Sequence, residues 1–194
     1  MSLVSERQRL ILAAAVRVIA RTGVRGLRVE ELATEAGVST ALIYYHFQDR
    51  AGLLRQTLEH VNELAGGYTT RAAAEAANPR EELELVLLHE IQDDQATREN
   101  SVAWGELRAS AVFDESLRVP LGESTRTWVT EVAEIIERAE AAGLAKLDCA
   151  PADAAERLTA LVEGLSERWL SGSMTIERAQ DLLRGAIAVE LGGH

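Results

Sequence analysis

Apolar residues recur at spacings of three and four along most of the chain, which is the periodicity of amphipathic helices. No segment has the strict alternation of a half-buried strand, so the pattern predicts an all-α fold of about nine helices. The helices are expected at residues 5–21, 29–36, 39–47, from 49 onward, 79–94, 97–113, 114–143, 151–169 and 175–191.

Glycine and proline divide this pattern. Gly23 is expected to end the first helix, and the pair Gly66-Gly67 to weaken or end the fourth. Whether Tyr68–Ala77 continues that helix stays open. Pro120 is expected to interrupt the seventh helix.

Two short helices are predicted to meet at Gly37-Val38-Ser39, with Ser39 as the N-cap of the second. A tight turn that contains glycine holds two helices at a steep angle, as in a helix-turn-helix motif. The small side chain of Ala33, four residues before Gly37, allows the next helix to cross closely. Helical hairpins with an internal glycine are common, so this turn alone is only moderately specific.

The third helix makes the prediction more specific. Ile43 and Phe47 are spaced to face inward, and the rest of the helix contains hydroxyls, aromatics and no acid, which is unusual for a solvated surface. Such a face suits a DNA major groove, because phenols and imidazole donate to phosphates and methyl groups contact thymine. Arg50 is expected to reach a phosphate beside the first N–H groups of the fourth helix. The outward residues are Thr40, Ala41, Leu42, Tyr44, Tyr45 and His46.

The overall charge argues against nucleic acid, since the formal net charge is −11 and the pI about 4.9. The charge is unevenly distributed, however. Residues 1–60 have a net charge of +2, and the other 134 residues carry −13. A neutral-to-basic N-terminal part is therefore joined to an acidic body that is expected to stay away from phosphate.

Other features limit the function classes. The longest apolar run, Leu10–Val16, has seven residues, far fewer than the roughly 20 that cross a bilayer. No secretion signal is visible, so a cytoplasmic location is expected. Cys149 is the only cysteine, so neither an intrachain disulfide nor a cysteine metal cluster is expected. No nucleophile–base pair, carboxylate pair or phosphate-binding glycine loop indicates an enzyme, and no cofactor or metal is expected.

The segment Gly37–Leu54, GVSTALIYYHFQDRAGLL, resembles the signature of the TetR family of bacterial transcriptional regulators, and the resemblance covers residues 7–55. It implies an N-terminal three-helix DNA-binding domain at 1–48. The rest, 49–194, would be a helical ligand-binding and dimerisation domain. The fourth helix would connect the two.

The resemblance also implies roles for individual residues. Thr40, Ala41 and Leu42 occupy the family's base-contacting positions, while Tyr44, Tyr45, His46 and Arg50 occupy positions that hold the DNA backbone. Arg28 and Val29 match the helix start that meets phosphate, and Ser39 caps the recognition helix. Two departures stand out: Arg28 replaces the family's usual N-cap threonine, and Arg50 replaces its usual lysine. Leu42 in place of a polar residue favours methyl contacts, so the operator sequence stays unknown.

Candidate effector-binding residues come from the body of the chain. Aromatics on helical stripes are more often core than pocket, and His89 is by default a core or surface histidine without a second metal ligand nearby. Glu163 is a buried polar contact, a cavity acid or an interface residue, and Arg108 with Glu106 could form a surface pair. The candidates are His89, Gln92, Trp104, Arg108, Trp128, Glu163 and Trp169.

The last two helices have wide apolar faces. Two such faces from each of two chains would make a four-helix dimer interface, as the family resemblance implies, although the periodicity equally allows an intrachain bundle. The residues are Leu158, Leu161, Val162, Leu165, Leu182, Leu183, Ala186 and Ile187.

The sequence therefore predicts a homodimeric repressor released from a palindromic operator by a small, partly apolar molecule. Two alternatives stay open: an activator of the same family, and a helical small-molecule-binding protein that has lost DNA binding. A pure dimerising scaffold is disfavoured by the acid-free third helix.

Overall fold

The computed structural model describes residues 5–192, apart from the side chains of residues 68 and 69. These residues form nine α-helices and one short 3-10 helix, with no strand among them, so the predicted all-α fold is confirmed. The helices are α1 (Glu6–Gly26), α2 (Val29–Ala36), α3 (Thr40–Phe47), α4 (Arg50–Glu75), α5 (Pro79–His89), α6 (Gln95–Ala111), α7 (Arg118–Ala141), α8 (Pro151–Leu170) and α9 (Ile176–Glu190), and the 3-10 helix is Glu115–Leu117.

The helices form two compact units that are interleaved along the chain. The first contains the residues up to Leu64 together with Glu99–Ser124, and the second contains Ala65–Arg98 and the residues from Thr125 onward. The division falls within α4, α6 and α7. The functional boundary expected between residues 48 and 49 therefore stays a prediction.

The first unit is organised around α1, whose buried residues pack with those of α2, α3 and the start of α4 in one apolar core. Ion pairs join the outer surfaces of α1 and α2, with Glu35 accepting from Arg17 Nε at 2.7 Å and from Arg21 at 2.9 Å. Those two hydrogen bonds hold the pKa of Glu35 below its usual value. The pair α1–α2 thus forms a support for α3.

The second unit has its own core, in which α8 and α9 pack together and α5 packs on α9. Two of its helices begin at conventional caps: Asn78 accepts from Glu81 N–H with Pro79 following, and Thr175 accepts from Arg178 N–H. Gln180 donates to the carbonyl of Ile91 at 2.8 Å. This contact fixes the chain after α5, which ends at His89 and not near residue 94 as expected.

Two expected helix breaks are absent. Residues 66 and 67 lie inside α4, since glycine lowers helix propensity without forbidding helical angles. The open segment is thus helical as far as Glu75. Pro120 lies in the first turn of α7, where the missing N–H would have no helical partner in any case.

Five of the eight residues expected at the dimer interface are buried within the chain itself, and the interface stays a prediction. Side chains that are already buried within one chain lose little further accessible surface when a second chain binds. The three that keep accessible surface are Leu161, Leu182 and Ala186. The buried ones are Leu158, Val162, Leu165, Leu183 and Ile187.

The turn between α2 and α3 generates a stability prediction. Gly37 adopts the left-handed conformation with φ 65° and ψ 34°, and a Cβ there would meet no atom within 4 Å. Gly37→Ala is therefore expected to lose only backbone energy, roughly 1–2 kcal/mol. Gly66→Ala in α4, also in open space, should instead raise stability by roughly 0.5–1 kcal/mol. Urea unfolding of both variants checks this, and wild-type stability for Gly37→Ala would contradict it.

Candidate nucleic-acid interface and ligand site

The position of α3 is set by its two ends and by its buried side. Ser39 caps the helix by accepting from the N–H of Leu42 at 3.2 Å, and Gln48 ends it with a positive φ of 65°. Ile43 and Phe47, one turn apart, are buried in the core of the first unit. The opposite side of the helix is consequently presented outward.

That outward side has the composition expected of a groove-binding surface. Tyr45 is 80% exposed and Tyr44 53%, while His46 lies edge-on to the Tyr45 ring at 5.2 Å between centroids. Thr40 and Ala41 are exposed as well, and Leu42 is half-buried. No acidic side chain occurs in α3. Contacts of these residues with DNA stay a prediction, and the structure supplies the accessibility that such contacts require.

The start of α2 is a weaker candidate. Arg28 occupies the N-cap in extended conformation, and Val29 is the first helical residue. The side chain of Arg28 forms no cap, because a guanidinium has no atom that can accept from a backbone N–H. Glu30 and Glu31 lie in the first turn, where they complement the helix dipole. Arg28 is exposed and remains the cation available there for phosphate.

Arg50 has an intramolecular role that the sequence did not indicate. Its guanidinium donates to the carbonyl of Leu27 at 2.7 Å and also to the carbonyl of Val24. Asp49 meanwhile caps α4 by accepting from Gly52 N–H at 2.7 Å. Arg50 therefore closes the turn between α1 and α2. Its contact with phosphate stays a prediction, and such a contact would use guanidinium N–H groups that do not bind these carbonyls.

The predicted effector-binding residues are divided between the two units. Trp104 packs against the first core, and the guanidinium of Arg108 lies 5.8 Å from its ring centroid. The sequence could not show that Trp104 and Arg108 belong to a different unit from the other candidates, since apolar stripes look alike in the helices of both cores. The five candidates in the second unit are His89, Gln92, Trp128, Glu163 and Trp169.

Trp169 and His89 are buried in the second unit. The ring of Trp169 is covered by the guanidinium of Arg98 at 5.0 Å, a cation–π contact that occupies one face. His89 Nε2 lies 3.8 Å from a carboxylate oxygen of Glu75, at the end of α4. Its Nδ1 atom is buried without a hydrogen-bond partner, which is unusual for a native structure.

The second unit contains a pair of carboxyl groups, those of Glu90 and Glu163, that interact electrostatically. Burial raises the pKa of Glu90 to about 8, and the charge of Glu163 adds to the rise. Both residues nevertheless keep some accessible surface. Glu163 shares a face of α8 with Thr159 and Ser166, at spacings of four and three, and both of these are buried.

Glu90 was missed by sequence reasoning, although one signal existed. It caps the C-terminal end of α5, where the helix dipole is negative and an acid is unfavourable. An acid held at such an end, and near a second acid, is poorly explained by stability. A perturbed acid of this kind makes the position a candidate functional site.

Within the described residues, no group of three or more His, Cys, Asp and Glu side chains is arranged to hold a metal ion. Of the helices in that part of the chain, none has the length and apolar character needed to cross a membrane.

The turn at Gly37 joins α2 and α3 in a helix-turn-helix motif, which forms part of the predicted DNA-binding head, residues 1–48. Comparisons with known proteins identify the family of the chain. The model for bacterial regulatory proteins of the tetR family matches residues 11–57, and the model for the BetI-type transcriptional repressor C-terminal region matches residues 79–192. The chain belongs to the TetR family of transcriptional regulators and has a BetI-type C-terminal region.

Individual relatives agree with this assignment. The HTH-type transcriptional regulator BetI of Burkholderia cenocepacia is 29% identical over 169 residues, covering 87% of this chain and 82% of its own. A TetR-family regulator structure from Rhodococcus sp. is 46% identical with a TM-score of 0.89, covering 96% of this chain and 98% of that one. A regulator from Saccharomonospora viridis, in complex with choline, is 26% identical with a TM-score of 0.82 over 93% and 94% of the two chains.

The exposed phenols of α3 generate a prediction for DNA binding. Tyr45→Phe removes one hydroxyl that can donate to phosphate, so affinity for a captured genomic fragment should fall roughly five-fold, the effect of about 1 kcal/mol. Fluorescence anisotropy measures this, with urea unfolding as the check that stability is unchanged. Unaltered affinity in both Tyr44→Phe and Tyr45→Phe would remove the phenols from the interface.

The raised pKa of Glu90 generates a prediction for stability. Between its ordinary value of 4.5 and about 8, the unfolded chain has lost a proton that the folded chain keeps. The contribution of Glu90 to the free energy of unfolding is thus complete below pH 4.5 and is lost as the pH rises to about 8. Glu90→Gln should flatten this fall in urea titrations across the interval. The exposed Glu167→Gln is the control, and a slope identical in all three proteins would refute the assignment.

Proposed function

We propose that the protein is a homodimeric repressor that leaves a palindromic operator when a small organic cation binds its second unit. The observation that carries the effector assignment is the pair of partly buried carboxyl groups, Glu90 and Glu163. Transcriptional regulation and DNA binding follow from the family, whereas repression, dimer geometry and effector class are the proposal.

The dimer is assigned to the outer faces of α8 and α9. Leu161, Leu182 and Ala186 keep accessible surface, and Val189 on the same side of α9 is 79% exposed. Gly164 and Gly185 are also exposed, and a Cβ at either would meet no atom within 4 Å. Small residues beside apolar ones allow helices of a second chain to approach closely. Two recognition helices could then enter successive major grooves about 34–36 Å apart.

The effector is assigned by charge. Placing two carboxyl groups near each other and away from water costs free energy unless a positive charge compensates them. The partners supplied by the protein leave the pKa of Glu90 raised, so additional positive charge would be favourable there. The choline bound by the Saccharomonospora viridis relative has one permanent positive charge, which supports this class of ligand.

The release mechanism is assigned to α4. This helix begins with Arg50, in the first unit, and its last residue Glu75, in the second, lies beside His89. Glu90 directly follows His89 in the sequence. A cation bound at Glu90 would therefore lie close to the contact between His89 and Glu75 at the end of α4. A ligand that binds one arrangement of α4 better shifts the population toward that arrangement, and a misplaced head loses DNA contacts.

An activator of the same family differs in its effect on transcription and not in these contacts, so only a promoter assay separates the two. A ligand-binding protein without DNA binding is disfavoured, because the accessible acid-free face of α3 is intact.

The effector assignment is tested with choline chloride and with neohexanol, in which carbon replaces the ammonium nitrogen. Choline should quench tryptophan fluorescence and lower the affinity for a captured genomic fragment, while neohexanol should not. Glu163→Gln should bind choline roughly ten-fold more weakly, as expected for the loss of one charged contact. Glu167→Gln, an exposed change on the same helix, is the matched control. Equal binding of the two compounds would refute a cationic effector.

A further inference from the structure

α1 has a kink at Gly23, and the residues from this kink to the start of α2, here called the α1–α2 turn, are held by side chains from two distant helices. α1 breaks at Gly23, where φ is 71° and ψ is 168°, so the N–H of Val24 loses its helical partner. The side chain of Val24 is buried. An N–H group in such surroundings needs an acceptor from elsewhere in the protein.

Glu106 of α6 supplies that acceptor. Its Oε2 atom accepts from the N–H of Val24 at 2.9 Å, across 82 residues of sequence. A carboxylate makes a stronger acceptor than a neutral group. The contact also requires glycine at position 23, since a Cβ there would lie 2.8 Å from the same oxygen.

The carbonyl side of the turn is held from α4. Arg50 donates to the carbonyls of Val24 and Leu27, so both backbone polar groups of Val24 are bound by charged side chains. α2 begins at Val29, two residues after Leu27, and α3 packs on α2. A displacement of the turn would therefore move α3.

We propose that Glu106 is a positioning residue for DNA binding: it anchors the α1–α2 turn to α6 and so determines where α3 lies. Glu106 itself touches no DNA in this role. The proposal concerns the DNA-binding activity of the family and does not depend on the identity of the effector.

Because Glu106 is an acid, a positioning role and a purely electrostatic effect predict opposite changes in DNA affinity when it is replaced. Removing an acid from a DNA-binding protein should by charge alone leave DNA affinity unchanged or raise it. A positioning role requires the opposite sign. Glu123 lies in the same unit and is exposed, so Glu123→Ala is the matched control for the loss of one negative charge.

The test compares Glu106→Ala, Glu106→Gln and Glu123→Ala with the wild type, using a genomic fragment captured by the wild-type protein. Glu106→Ala should lower the affinity roughly ten-fold and leave the salt dependence unchanged, because no phosphate contact is lost. Exchange of the Val24 amide hydrogen, measured by NMR, should become faster. Glu106→Gln keeps an acceptor oxygen and should restore part of both properties, whereas Glu123→Ala should change neither.

Two outcomes would overturn the proposal. One is a folded Glu106→Ala protein that binds the fragment as tightly as wild type or more tightly. The other is faster exchange at Val24 without loss of DNA affinity. If Glu106→Ala does not fold, Glu106→Gln decides: lower DNA affinity together with faster exchange at Val24 would support the role, whereas faster exchange with wild-type or higher affinity would refute it.

Discussion

The burial of Ile43 and Phe47 is the interaction on which the DNA-binding surface depends. α3 contains only eight residues, and a helix of that length is unstable alone in water. Packing of these two side chains into the first core supplies the missing stability and decides which side faces outward. Tyr44 and Tyr45 are exposed as a direct consequence, so the chemistry of the surface follows from the core beneath it.

Acidic side chains have different surroundings at key places in the two units, although the second unit also contains ordinary ion pairs such as Arg138–Glu82 and Arg157–Glu190. In the first, acids serve as acceptors: Glu35 pairs with Arg17 and Arg21, and Glu106 binds a backbone N–H. In the second, burial raises the pKa of Glu90, and the charge of Glu163 adds to the rise. The raised pKa of Glu90 makes the second unit the better place to look for a ligand.

α6 contributes to both units. Near its start, Arg98 covers Trp169 in the second unit, and about two turns later Glu106 holds Val24 in the first. A helix transmits displacement along its axis because its backbone hydrogen bonds keep it stiff. α4 and α6 each contribute residues to both units.

The sequence by itself determined the helical fold, the Gly37 turn and the exposed groups of α3, because each depends on neighbours within a few residues. It did not determine that five residues of the expected interface form the chain's own core, or that Trp104 belongs to a different unit from Trp169. Nor did it reveal that Glu106 binds Val24 or that Glu163 acts on Glu90. Those pairings join residues far apart in sequence, and only the packing of helices decides which apolar faces are covered and which charges become neighbours.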